Sequence, residues 1–207
     1  MVQRHTAGLP QQRSGTPADQ DFSSARREMR KLPTSAQPEV YLPALSWWER
    51  LTRELGHLPG RAHLDPVDLG AKALRFVMIV DIIGRADDMR FRLIGSSHDE
   101  FNGRNLTGQL FSAVYPRESP ILSYVRGLYI DMIDAGRPIW SLNSWSTEAG
   151  LSRVRMGRLM LPLSTNGVEV DGCVAVQKID YPDFSEAIVR DSWIPNSAPH
   201  ERERIIF

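Results

Sequence analysis

The sequence predicts an α+β fold: a five-stranded antiparallel sheet with helices packed on one face, plus flanking N- and C-terminal segments. Three observations predict it. Residues Met89–Ile94 alternate, with Met89, Phe91 and Leu93 on one side and Arg90 and Arg92 on the other. The run then breaks at Gly95 into a glycine-punctuated segment that closes on Gly103-Arg104-Asn105-Leu106-Thr107-Gly108. Further on, Ile121, Val125, Leu128 and Met132 recur at helical spacing, and three strand-like runs follow them. The order strand, strand, short helices, long helix, three strands suits one antiparallel sheet with its helices on a single face.

Each element has its own local reason. Residues 1–40 are rich in Gln, Ser, Pro, Ala and Arg with isolated apolar residues, so they read as a disordered arm that buries too little to offset its ordering entropy. Within it, Ser23–Lys31 reads as a solvated basic linker with transient helicity. Residues 41–70 form a flanking helix and turn. The helix is expected over Trp47–Leu55, opened by a Ser46–Glu49 capping box and closed by Gly56, with Trp48, Leu51 and Leu55 on one face. Asp65-Pro66 starts a further turn.

Residues 71–181 are the main domain. Leu74–Ile83 is apolar and β-branched, hence a buried strand, and Gly84–Asp88 is a hairpin-length loop leading to Met89–Ile94. Residues 96–115 read as irregular with short helices. Ser119 and Pro120 are the N-cap and first residue of the long helix, which Gly136 ends. Ile139–Ser146, Ser152–Leu163 and Gly172–Asp180 are strands, joined through Glu148–Gly150 and through a turn at Asn166-Gly167. Residues 182–207 are a polar extension with a short helix over Phe184–Trp193 and an apolar tip.

Composition narrows the class. Lys plus Arg and Asp plus Glu both number 25, which argues against a nucleic-acid polymer as partner. No apolar run approaches the roughly 20 residues of a membrane span, and no apolar stretch follows Arg4 and Arg13 as a secretory signal requires. Cys173 is the single cysteine, so no internal disulfide forms, and a reducing cytoplasm is the expected compartment.

Between Trp47 and Tyr181 the chain resembles the PAS superfamily, and more narrowly the stand-alone single-PAS-domain proteins of alphaproteobacteria. The carrying pieces are LGHLPGRAHLDPVDL, FRLIGSSHDEFNGRNLTG, the helix before AGRPIW, and the runs RVRMGRLMLPL and GCVAVQKID. His63 stands where that family's turn carries its first Asp, Ser96 where Thr is common, and Asn105 where Asp is common. The resemblance implies a sensor fold whose outer sheet face pairs with a flanking helix or a second protomer. It implies little about chemistry, because the fold hosts many unrelated ligands.

The residues themselves identify no cofactor. Gly103-Arg104-Asn105-Leu106 is similar to the GRNC motif of light-sensing LOV domains, but Leu106 lacks the thiol that flavin adduct formation needs. The long helix has no histidine of the kind that ligates haem in PAS domains, and His98 sits in a loop as a weak substitute. His57 and His63 read as turn residues. His98-Asp99-Glu100 groups ligand types in sequence without a turn that makes them converge on a metal. Ser96-Ser97-His98 is too local for a catalytic triad, and no P-loop, G-x-S-x-G or H-E-x-x-H motif is present. Cys173, among Val174, Ala175 and Val176, reads as a small buried hydrophobe.

The expected function is therefore a non-catalytic cytoplasmic sensor or adaptor in bacterial signalling, without an attached effector module. It acts through an unidentified small molecule, a signalling protein partner, or both, and a homodimer is a candidate assembly. Candidate pocket walls are Phe91, Leu93, Phe101, Tyr124, Leu128 and Met156. Trp140 and Trp145 lie on opposite faces of their strand, and Trp47, Trp48 and Trp140 are the candidate interface residues. One alternative is a cyclic di-GMP receptor using Arg153 and Arg155, whose guanidinium forks suit phosphate, with Arg158 on the opposite strand face. The other is an enzyme acting in the PAS cavity, against which the mainly apolar candidate walls argue.

Overall fold

The computed structural model describes residues 23–31, 37–146, 153–180 and 200–207. Six strands form one antiparallel sheet: β1 (Val77–Ile83), β2 (Asp88–Ile94), β3 (Ile139–Ser146), β4 (Arg153–Leu163), β5 (Gly172–Asp180) and β6 (His200–Ile206). Their order is β2-β1-β5-β4-β3-β6. Five helices accompany them: α1 (Ser23–Lys31), α2 (Pro38–Leu55), α3 (Ser96–Asn102), α4 (Phe111–Val114) and α5 (Pro120–Ala135). The α+β class is as predicted, with one strand more.

The sheet's inner face, under α3, α4 and α5, is built from alternate residues such as Met78 and Val80 of β1, Met156 and Met160 of β4, and Cys173 and Ala175 of β5. The other face sends Val77, Ile79, Leu159, Leu161, Val174 and Val176 into a second core under α2. Strand alternation thus makes two hydrophobic layers from one sheet. α5 follows its sequence signals: the Leu122 N–H donates to Ser119 Oγ at 3.2 Å, and Gly136 ends the helix at φ 58°.

The flanking segments do more than the sequence suggests. α2 begins at Pro38, not at Trp47, so Ser46 and Glu49 lie inside a helix and do not cap one. Pro43 removes the N–H that would bond the Glu39 carbonyl, yet the helix runs through because packing compensates one lost bond near its start. Ser23–Lys31 is not a solvated linker: Ala25 and Met29 are buried against the α2 side of the core, and Arg26 pairs with the buried Glu49 carboxylate. The C-terminal apolar tip belongs to β6, which pairs antiparallel with β3 and buries Phe207. The expected helix over Phe184–Trp193 and the Glu148–Gly150 connection lie outside the described residues.

Trp47, Trp48 and Trp140, expected at an interface, are closed inside the chain's own outer core at 0–2% exposure. The Trp48 indole N–H donates to the Pro162 carbonyl at 2.7 Å. Trp140 meets the Tyr41 ring edge to face, centroids 4.6 Å apart, and Tyr41 donates its hydroxyl to the Gly157 carbonyl at 3.3 Å. Burying one indole removes roughly 200 Å² from water, on the order of 5 kcal/mol before ordering entropy. A flanking helix of the same chain covers these rings, although the Trp47 and Trp140 indole N–H groups find no hydrogen-bond partner among the described residues, so the rings leave no apolar face of their own for a second protomer. The side chain of Trp145 lies outside the described residues.

Gly157 makes this packing possible. A Cβ there would stand 2.6 Å from Tyr41 Oη and 2.7 Å from Trp140 Cη2. Gly157→Ala is expected to lower stability by about 1–3 kcal/mol through overpacking, measured by chemical denaturation. Wild-type stability in that variant would refute the close approach.

Candidate ligand-binding site

β2 carries the first surprise of the site. Alternation places Phe91 and Leu93 on one face, but the register shifts between Ile79 and Val80: Ile79 pairs with Leu93 while Val80 pairs with Phe91. The extra residue, Arg92, makes a β-bulge, and a bulge reverses the face of everything beyond it. Phe91 and Ile94 therefore point inward and are buried, and Leu93 is 41% exposed. Ile94 takes the wall position that alternation assigned to Leu93. Gly95 follows because the chain presses on its neighbour there: a Cβ would lie 2.5 Å from the Arg75 carbonyl oxygen.

Between the inner face and α3, α4 and α5 is a cavity of about 40 Å³. Its apolar walls include Met78, Phe91, Ile94, Phe101, Ile121 and Val125. Phe111 closes one side, stacked on Phe91 at 4.1 Å between centroids and edge-on to Tyr129 at 6.0 Å. Of the six walls named from sequence, Phe91, Phe101 and Met156 line it. Leu93 faces outward, and Leu128 is buried in the core without lining the cavity. Tyr124 is also off the lining, its hydroxyl accepting a 3.1 Å hydrogen bond from Asn143 Nδ2.

Three buried polar side chains share the lining. Arg158 projects from β4 and Gln177 from the facing position of β5, each 6% exposed. Arg158 Nε donates to Gln177 Oε1, and among the described residues its Nη2 meets only the Met156 thioether at 3.6 Å and its Nη1 has no hydrogen-bond partner. His98, from α3, is 2% exposed, and its Nε2 lies 3.2 Å from the Phe76 carbonyl, to which it donates when that nitrogen carries the proton. Burial, with the Arg158 charge adding to it, lowers the His98 pKa to about 4, so the ring is neutral at pH 7. Burial pushes the Cys173 thiol up to about 12, in keeping with a packed hydrophobe.

Arg158 is the residue that sequence reasoning passed over. The signal was present: it is the only arginine of its strand on the face opposite Arg153 and Arg155. Arg155 is half-buried and does not line the cavity, and the side chain of Arg153 lies outside the described residues. His98, Asp99 and Glu100 diverge. Asp99 accepts from Asn105 and Glu100 pairs with Arg75, and among the described residues no three metal-ligand side chains converge. No described helix is long and apolar enough to cross a membrane.

A family model described as a PAS domain matches residues 38–174. None of the curated proteins matches the chain.

The neutral His98 has a consequence for stability. Unfolded, the imidazole titrates at its ordinary 6.5; folded, it titrates at about 4, so between those values the unfolded chain binds the extra proton. Its contribution is complete above about pH 6.5 and is lost as pH falls to about 4, a change on the order of 3 kcal/mol. The stability difference between wild type and His98→Gln should therefore change across this window and flatten above it. A constant difference from pH 4 to 7, measured by urea unfolding, would contradict the buried neutral ring.

Proposed function

Because the chain belongs to the PAS domain family, we propose that it is a cytoplasmic, non-catalytic sensor that admits a small ligand to the cavity beneath α5 and signals its occupancy to a protein partner. The carrying observation is the combination of apolar walls with buried, converging polar groups on Arg158, Gln177 and His98. That is the usual make-up of a ligand site, in which apolar surface supplies affinity and a few polar groups supply orientation.

A sensory reading fits the chemistry better than a catalytic one. A histidine whose pKa lies near 4 is a poor proton acceptor at neutral pH. Burial also raises the Tyr115 and Tyr129 hydroxyls, which makes them poor nucleophiles. The size of the cavity points the same way. A volume of about 40 Å³ is far below the roughly 300 Å³ or more of pockets for drug-sized molecules. The ligand in this reading is therefore small, and binding it shifts the population of a packed arrangement that already exists.

Native mass spectrometry of gently purified protein tests the reading. Extra mass on the native peak, lost on denaturation and absent from a folded Val125→Phe variant that fills the cavity, is the expected result. A bare chain mass, together with no saturable thermal shift from any small organic acid or neutral compound, would overturn it.

A further inference from the structure

We propose that the ligand is a short-chain monocarboxylate, its two oxygens forked on Arg158 and its carbon tail lying against Phe91, Ile94 and Val125. The inference deepens the sensor reading and rests on it.

The argument starts from an uncompensated charge. A guanidinium remains a cation at any ordinary pH, and a buried cation requires an anion or a complete set of acceptors. Arg158 has neither among the described residues. No described carboxylate forms an ion pair with it, Gln177 is a neutral acceptor for Nε alone, and a thioether is a weak acceptor for Nη2. The other titratable groups whose field it shares are protonated or neutral. Burial raises the Tyr115, Tyr129 and Cys173 pKa values, and the His98 imidazole carries no charge at pH 7. Among the described residues the Nη1–Nη2 edge is thus left without an oxygen acceptor inside an apolar wall, with Gln177 taken up by Nε and Nη1 enclosed by protein atoms that a ligand must part to reach it.

A carboxylate matches that edge, since two parallel N–H···O bonds fit its two oxygens. One guanidinium neutralises one negative charge, which disfavours a phosphate dianion in a site with no second cation among its lining residues. Apart from His98, Asn102 and the Tyr115 and Tyr129 hydroxyls, the remaining walls are aliphatic, aromatic or thioether groups, so most of the rest of the ligand is hydrocarbon. The volume of about 40 Å³ limits it to roughly two to four carbons. Because Gln177 Oε1 accepts from Arg158, the other end of that amide is an N–H donor, also suited to an oxygen anion.

The test titrates the full chain with sodium acetate, propionate and butyrate at ionic strength held constant with sodium chloride. Binding is read by calorimetry and by thermal shift, with propionamide and butyramide as uncharged controls. A saturable rise in Tm with a carboxylate and none with its amide is expected. Arg158→Met, which keeps the stem and loses the charge, should bind about tenfold to a hundredfold more weakly. Val125→Phe retains Arg158 and fills the tail space, so loss of butyrate binding there supports the same placement should Arg158→Met fail to fold. Equal binding of amide and carboxylate, equal binding to folded Arg158→Met, or equal stabilisation by chloride or nitrate would each overturn the proposal. A neutral ligand carried on the native peak would overturn it while leaving the sensor reading intact. An empty native chain that responds to none of these compounds would overturn it, and the sensor reading falls with it only when a broader set of small organic acids and neutral compounds also gives no shift.

Discussion

A single strand has to serve two cores. Successive side chains of β4 point to opposite faces of the sheet, so Leu159, Leu161 and Leu163 go to the layer under α2 while Met156, Arg158 and Met160 go to the layer under α5. Any slip of one residue would put Arg158 beneath the tryptophans and Leu159 in the cavity. The register is held by Gly157, the one residue of the strand small enough for Trp140 and Tyr41 to close over it, and by the Trp48 hydrogen bond to the Pro162 carbonyl. The cavity's chemistry therefore depends on packing done on the opposite side of the sheet.

This dependence gives the flanking helices a structural role. α2 covers the outer face that would otherwise present indole rings to water, and α1 is tied to α2 through Ala25, Met29 and the Arg26–Glu49 pair. Glu49 is fully buried while Arg26 is 38% exposed, so removing Arg26 takes a partner from a desolvated carboxylate, which costs more than loss of a surface pair. At the other edge, β6 adds Ile205 and Phe207 to the same layer and its Arg204 pairs with Asp131 of α5. Both layers are thus in contact with segments outside the central five strands.

The inner layer holds two basic side chains in opposite electrical states. His98 is buried deeply enough to stay neutral and spends its ring proton on a backbone carbonyl. Arg158 cannot shed its charge in that way, and its field further disfavours a second cation at His98. A protein that keeps such a charge beside phenylalanine and isoleucine forgoes the stability of a wholly apolar core.

Much of the architecture was legible in order and alternation alone. Strands β3 and β5 match their expected limits, β4 differs by one residue, and α5 starts and stops at the Ser119-Pro120 and Gly136 signals. These features are local: a cap, a proline or a period-two pattern acts within a few residues and can be read there. β6 was not legible, because HERERII alternates charges and lacks an apolar face until its end, which suits an edge strand that only the β3 partner defines. Nor was the start of α2, where Pro43 signals a break that tertiary packing overrides. The wall position of Ile94 needed the bulge at Arg92, a property of the β1–β2 pairing and not of β2 by itself. The fold family, the long helix and the opposite facing of Arg158 from Arg153 and Arg155 can all be read from residue order. That Arg158 is buried, that its Nη1 lacks a partner among the described residues and that His98 stays neutral beside it follow from the folded arrangement, because desolvation depends on which distant elements close over a side chain.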